Sequence, residues 1–194
     1  ISYAPWNEFV LGSSGKILDI MEARIYKESP EAETGEIQVR GENVMVGYYK
    51  NPEATAQIID VNGWLHTGDL GVMDEEGYVT VRGRSKNMLL TSSGQNIYPE
   101  EIESKLNNMP YVAESLIVLQ HDKLVALIYP DFDDAFAHGL QQNDIQKAME
   151  VNRVELNQQL PNYCQISKIK IHFEEFEKTA KKSIKRFMYQ EAKG

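Results

Sequence analysis

The chain has 194 residues, of which 42% are hydrophobic, and a net charge of −9. That length suits one large or two small domains with real cores, and two compact units are expected. The acidic balance argues against a general nucleic-acid surface, which needs concentrated Lys and Arg. The sequence contains no apolar run near the length of a membrane span and no charged-then-apolar signal segment, so a soluble, cytoplasmic protein is expected.

From Gly15 to Val81, short alternating runs divided by turn formers predict antiparallel strands of a small barrel or distorted sheet. The runs are KILDIMEARIY before the Ser29-Pro30 loop, EIQVR between Gly35 and Gly41, and NVMVGYY before Asn51-Pro52. In the last run, Tyr48 and Tyr49 read either as bases' stacking partners or, more commonly for strand aromatics, as packing. EATAQII after Pro52 predicts a short helix that ends at Gly63-Trp64. DEEGYVTVRGR predicts a hairpin turning at Glu76-Gly77, with Tyr78, Thr80 and Arg82 on one face and Val79 and Val81 on the other. The barrel-like unit is expected to end near Gly83, giving a division into residues 1–83 and 84–194.

Beyond Arg84 the pattern turns to mixed helix and strand. MLLTSSG predicts a strand running into a glycine turn, and Pro99-EEIESKLNNM a helix with Pro in its first turn and carboxylates at its positive end. Ile102 and Leu106 lie on one stripe of that helix. VAESLIVLQ and KLVALIYP predict a hairpin through His121-Asp122. A helix from about Asn143 to Leu160 should stop at Pro161, followed by a strand, SKIKIHF, with Ile169 and Ile171 on one face. The segment from about Lys181 to Gln190 reads as weakly helical. The fold class is therefore α+β.

The lone Cys164 cannot form an internal disulfide, and with Asn162, Tyr163 and Gln165 around it there is no His or Asp neighbour to make it a nucleophile; it reads as packing. His66, His121, His138 and His172 are scattered, so no protein-built metal site is expected. Against the acidic background the stretch Lys178–Arg186 is basic, which on its own describes a solvated face.

The stretch from Gly63 to Glu103 is the richest in chemistry. Thr67-Gly68-Asp69 puts a carboxylate at a tight backbone, and a carboxylate suits two adjacent ribose hydroxyls. Arg84 after Gly83 offers several donors in one plane. Gly94 in Ser92-Ser93-Gly94 permits close backbone approach. Glu100 and Glu101 could suggest an acid–base pair, but carboxylates in a first turn usually answer the helix dipole.

This ordered series resembles the adenylate-forming superfamily, which contains acyl-CoA synthetases, luciferases and peptide-synthetase adenylation domains. GRSKNMLLTSSGQNIYPEEIE and FEKTAKKSIKRF are most similar to the C-terminal part of long-chain fatty-acid CoA ligases. Upstream, Gly35-EIQVR-Gly41, Val46-Gly47-Tyr48-Tyr49 and Pro52-Glu53-Ala54-Thr55 share the resemblance and read as scaffold. The resemblance implies a β-barrel-like end of a large AMP-binding domain followed by a mobile α+β lid domain. It implies that Asp69 and Arg84 contact the nucleotide, that Lys86 is the hinge, and that the loop around Gly94 lines a pantetheine tunnel. ATP or AMP, CoA, and Mg²⁺ carried with ATP are the implied cofactors. The implied partners are a fatty acid, the missing N-terminal domain in cis and, in a variant of the same chemistry, an acyl carrier protein, with room for peripheral membrane contact. Because the chain begins with Ile1, it is expected to be the C-terminal piece of a larger protein, inactive alone; a processed mature chain is the alternative.

The tail departs from the family. Glu177–Arg186 aligns without a gap to the pattern Pro-Lys-Thr-x-Thr-Gly-Lys-Ile-x-Arg, which puts Ser183 where the family has its catalytic Lys. Lys182 is the expected substitute, with Lys181 and Lys185 as alternatives. A different class of function, a non-catalytic docking or regulatory module, takes its support from that same Ser183.

Overall fold

The computed structural model describes residues 1–8 and 10–190 and divides into two compact units, one of Ile1–Asn87 and a second that begins at Met88. The division falls beyond Gly83 because the last strand of the first unit runs through Arg84 and continues into a 3₁₀ turn, Ser85–Asn87.

In the first unit the strands are β1 (Ser2–Tyr3), β2 (Lys16–Ile17), β3 (Met21–Tyr26) and β4 (Gly35–Gly41), then helix α1 (Pro52–Ile58), β5 (Leu65–Met73) and β6 (Val79–Arg84). Strands β3 to β6 form a four-stranded antiparallel meander, while β1 and β2 pair separately. The sheet curls partway toward closure. Ser14 N–H donates to Val79 O at 2.7 Å and Ile17 N–H to Gly77 O at 3.0 Å, so the segment leading into β3 lies against the start of β6. Alternation along the strands buries Ile37, Val39, Val79 and Met21 in one core. The hairpin between β5 and β6 turns where predicted: Gly77 takes φ +87°, and Asp74 Oδ1 accepts the N–H groups of Glu76 and Tyr78. Asn51 caps α1 by accepting from Ala54 N–H at 3.0 Å.

NVMVGYY is not a strand. Val44 N–H donates back to Gly41 O, and Tyr48 N–H goes to Thr55 Oγ1 on α1, so local turn bonds replace a ladder. Val46 is fully exposed and Tyr49 is 88% exposed, so Tyr49 is not a packed strand aromatic. KILDIMEARIY is likewise broken, into β2 and β3, by a turn at Asp19-Ile20.

The second unit begins with the short pair β7 (Leu89–Leu90) and β8 (Asn96–Ile97). Helix α2 (Pro99–Leu106), β9 (Val112–Gln120), β10 (Lys123–Pro130), α3 (Phe132–Ala137), α4 (Gln142–Gln159) and β11 (Ile166–Ile171) follow. β9 and β10 form the hairpin, and its two-residue loop has positive φ at both His121 and Asp122, the geometry of a type I′ turn. β11 joins β10 in parallel after the helical crossover, giving the order β11-β10-β9. Pro99 opens α2, and α4 starts with a capping box between Gln141 and Asp144 and stops short of Pro161.

Both faces of this sheet are covered. Ile117, Ala126, Ile128, Ile166 and Ile169 meet Ile102 and Leu106 of α2 and Ile145, Met149 and Leu156 of α4. On the opposite face Leu116, Val118, Val125 and Leu127 are covered by the tail through Phe176, Ile184 and Tyr189. That duty explains the tail's conformation. In place of a helix over 181–190 it forms a tight hairpin bridging Lys178 and Ile184, then a 3₁₀ turn, Arg186–Met188. Cys164 is half-buried against the helical core, and burial pushes its thiol up.

Candidate functional site

Residues 67–69 are out of step with the sheet. In the β4–β5 ladder Glu36 opposes Leu70 and Gln38 opposes His66, so Ile37 faces Thr67, Gly68 and Asp69 together. The excess makes a bulge, which bends the strand and re-aims a side chain. Gly68 takes φ +70°, a region that glycine enters without cost. Side chains satisfy the displaced backbone: Glu36 Oε1 accepts from Gly68 N–H at 3.1 Å, and Thr67 Oγ1 accepts from Asp69 N–H at 3.1 Å while donating to Ile37 O at 2.6 Å.

Asp69 and Arg84 are directly opposite in the β5–β6 ladder, and Arg84 Nε stands 2.8 Å from Asp69 Oδ1. Arg84 Nη1 also donates to Thr67 O at 3.3 Å. The side chains are 28% and 53% exposed respectively, so the pair adds little to stability. What it presents is an oriented carboxylate beside a planar guanidinium, a combination able to accept from and donate to vicinal hydroxyls. Lys86 sits exposed in the 3₁₀ turn immediately before the division between units.

The other sequence-predicted residues belong to the second unit. Gly94, at φ +79° with open space where a Cβ would stand, turns the chain between β7 and β8. The neighbouring Ser92 is tied to the β9–β10 turn: its N–H donates to Asp122 Oδ1 at 2.8 Å and its hydroxyl to the other carboxylate oxygen. These two bonds hold the Asp122 carboxyl below its ordinary range.

Lys182 occupies the hairpin of the tail. Thr179 N–H donates to Ser183 O at 2.8 Å and Lys182 N–H to Thr179 O at 2.9 Å, and Lys182 takes φ +61°. That left-handed position is the one the aligned pattern fills with Gly, so the backbone favours the gap-free register with Ser183 at the lysine position. Lys181, Lys182 and Ser183 are all exposed. Lys185, one of the alternatives, has its Nζ 3.4 Å from Glu177 Oε2.

Glu103 was legible only as part of a helix start, yet its carboxylate is buried and bound to Arg186 of the tail. Glu36 and His66 also escaped the sequence reading. His66 counted as one scattered histidine, and its bond to Glu36 becomes visible only once β4 and β5 are paired. Among the described residues no group of three or more His, Cys, Asp or Glu side chains could hold a metal ion. No helix among them is long and apolar enough to cross a membrane.

A sequence profile described as the AMP-binding enzyme C-terminal domain matches residues 86–192. A 3-[(3aS,4S,7aS)-7a-methyl-1,5-dioxo-octahydro-1H-inden-4-yl]propanoyl:CoA ligase of Rhodococcus jostii is 48% identical over 106 residues, 55% of this chain and 19% of the relative. A long-chain-fatty-acid–CoA ligase of Escherichia coli O6:H1 is 43% identical over 119 residues, 59% of this chain and 21% of the relative. The chain thus spans about a fifth of these relatives. Among solved structures, the o-succinylbenzoate CoA synthetase of Bacillus subtilis in complex with its acyl-adenylate superposes with a TM-score of 0.73 at 28% identity, covering 94% of this chain and 36% of that one. The chain belongs to the AMP-binding enzyme C-terminal domain family of the adenylate-forming superfamily.

Proposed function

We propose that the chain is the C-terminal portion of an ATP-dependent acid–thiol ligase whose acid is a long-chain fatty acid. The observation that carries this reading is the Asp69–Arg84 pair, 2.8 Å apart and aimed by a bulge at Gly68. Asp69 accepts from the ribose hydroxyls and Arg84 donates to ribose or phosphate oxygen. The fatty carboxylate attacks the α-phosphorus of ATP, and pyrophosphate leaves as acyl-adenylate forms. The thiolate of CoA then attacks the acyl carbonyl and AMP departs.

Lys182 supplies positive charge where negative charge collects on the α-phosphate and carboxylate oxygens, a role no hydroxyl fills. Lys86 is the pivot about which the second unit turns between the two steps. The turn at Gly94 borders the pantetheine arm in the second step. Mg²⁺ travels with the phosphates of ATP. The long-chain assignment is supported by GRSKNMLLTSSGQNIYPEEIE and FEKTAKKSIKRF and by the name of the Escherichia coli relative. Residues 1–194 alone turn over no substrate in this reading.

The test is acyl-CoA formation by the full-length gene product from ATP, CoA and a series of carboxylates. Long-chain fatty acids are the expected substrates; a preference for an aromatic or bicyclic acid contradicts the chain-length assignment. A carrier protein that replaces CoA as acceptor in the same assay would move the acceptor and leave the first step intact.

One observation favours a second reading. Ser183 stands at the family lysine position with Lys182 in the left-handed turn before it, and a hydroxyl at that position suits a docking or regulatory module that binds adenylate without making it. Lys182→Ala in the full-length protein separates the two. Loss of adenylation, with thioester formation from added acyl-adenylate retained, supports the enzyme; unchanged activity removes Lys182 from the mechanism.

A further inference from the structure

A row of polar side chains crosses three strands beneath the bulge. Arg24 on β3 opposes Gln38 on β4, and Gln38 opposes His66 on β5. Gln38 is completely inaccessible to solvent, so its amide must find its partners inside the protein. Its oxygen accepts from Arg24 Nε at 2.8 Å and its nitrogen donates to Glu36 Oε2 at 2.9 Å. Arg24 is itself held flat, its guanidinium carbon 4.3 Å from the centre of the Trp64 ring, with Arg40 over the same ring at 4.7 Å.

The row ends on Glu36. Its Oε2 takes both the Gln38 amide and the His66 ring, whose Nδ1 lies 2.7 Å away and is assigned the proton by that contact. With one oxygen occupied by two donors, the other, Oε1, is turned toward Gly68 N–H, the group that the bulge has taken out of the ladder. The Gly68 N–H is therefore fixed by a side chain that is itself fixed from two sides. Gly68 immediately precedes Asp69 and has no side chain of its own to hold it.

We infer that Glu36, oriented by Gln38 and His66, is a positioning residue that sets the Thr67–Asp69 bulge and thereby the direction of the Asp69 carboxylate. The inference rests on the reading of Asp69 as the ribose acceptor. The role inferred for this carboxylate is geometric, exerted through the Gly68 N–H from which it accepts.

The experiment compares Glu36→Ala, Glu36→Gln and Asp69→Ala in the full-length gene product by steady-state kinetics of carboxylate-dependent pyrophosphate release. Glu36→Ala frees the Gly68 N–H, and the KM for ATP should rise about tenfold with the KM for the carboxylate unchanged. Glu36→Gln keeps an acceptor for Gly68 and should give a smaller rise. A residue that only supports folding would lower the active fraction, reducing kcat and leaving both KM values alone; that result overturns the inference. Where Glu36→Ala fails to fold, Glu36→Gln carries the same test: its KM for ATP rises if the inference holds and stays at the wild-type value if it does not. An Asp69→Ala variant with raised KM for ATP beside an unchanged Glu36→Ala discards the inference and keeps the function. An unchanged Asp69→Ala discards both.

Discussion

Glu103 on α2 and Arg186 in the tail form a buried ion pair across 83 positions of sequence, with Arg186 Nη1 2.9 Å from Glu103 Oε1 and the second guanidinium nitrogen on the other oxygen. Glu103 is 7% exposed, and its Oε1 also accepts from Ile117 N–H at 2.7 Å. One carboxylate thus joins the helix after the Gly94 turn, the edge strand β9 and the segment after the Lys182 hairpin.

Removing one partner of a buried pair strands the other, so Arg186→Ala should destabilise the protein by about 3 kcal/mol. Burial already pushes the Glu103 carboxyl above its ordinary range, against the pull of the guanidinium. Without Arg186 it rises further, and the folded state of the variant binds a proton more readily than the unfolded chain. The deficit should therefore shrink as pH falls, measured by urea unfolding at several pH values. A deficit that grows in acid contradicts the burial argument.

Asp122 runs the opposite way. Its carboxyl is held below its ordinary value of 3.8 by the two bonds from Ser92. A depressed carboxyl stabilises the fold above its unfolded pKa, and that contribution disappears as pH falls through the lower folded value. Protection of the Ser92 amide against hydrogen exchange should be constant at neutral pH and fall in acid below 3.8. In Asp122→Asn the pH dependence should vanish.

Lys182 holds a left-handed conformation at φ +61°, which costs an L-residue about 1 kcal/mol. Lys182→Gly should recover about that much in thermal or urea unfolding, while carboxylate-dependent pyrophosphate release falls. Adding Ser183→Lys to Lys182→Gly should restore release, because the hairpin then carries its cation at the position that the aligned pattern assigns. A doubly substituted chain that stays inactive removes the tail hairpin from the first step.

The regular elements were legible where a single signal decided them. Alternation marked β4 and β11, two apolar runs joined at His121-Asp122 marked β9 and β10, Pro52 and Pro99 marked helix starts, and Pro161 marked the end of α4. The failures came where tertiary contacts overruled local preference. NVMVGYY has the composition of a strand, but Thr55 on α1 and Gly41 take its backbone bonds. The tail has helix-forming lysines, but Phe176, Ile184 and Tyr189 are drawn onto the open face of the sheet, and that draws the chain into a hairpin. The short α3 went unread because DFDDAFA carries too few apolar positions to show a helical period, although Asp131 caps it.

The site divided in the same manner. Thr67-Gly68-Asp69, Arg84 and Gly94 could be read because each motif is contiguous and needs a particular residue type. Glu36, Gln38 and His66 could not, because their relation depends on a register that contains a bulge, and a bulge shifts every later pairing. Glu103 was hidden by its neighbours: Glu100 and Glu101 explained the acidic helix start, and nothing local distinguished the third carboxylate that turns inward.

The central claim is that Asp69, aimed by the Gly68 bulge and paired with Arg84, holds the nucleotide. The most direct measurement is titration of AMP into the full-length protein and its Asp69→Ala variant by calorimetry, with thermal melts alongside. The account predicts at least a tenfold loss of affinity, about 1.4 kcal/mol, at a nearly unchanged melting temperature, since the pair is too exposed to support the fold. Equal affinity for AMP in the two proteins would contradict it.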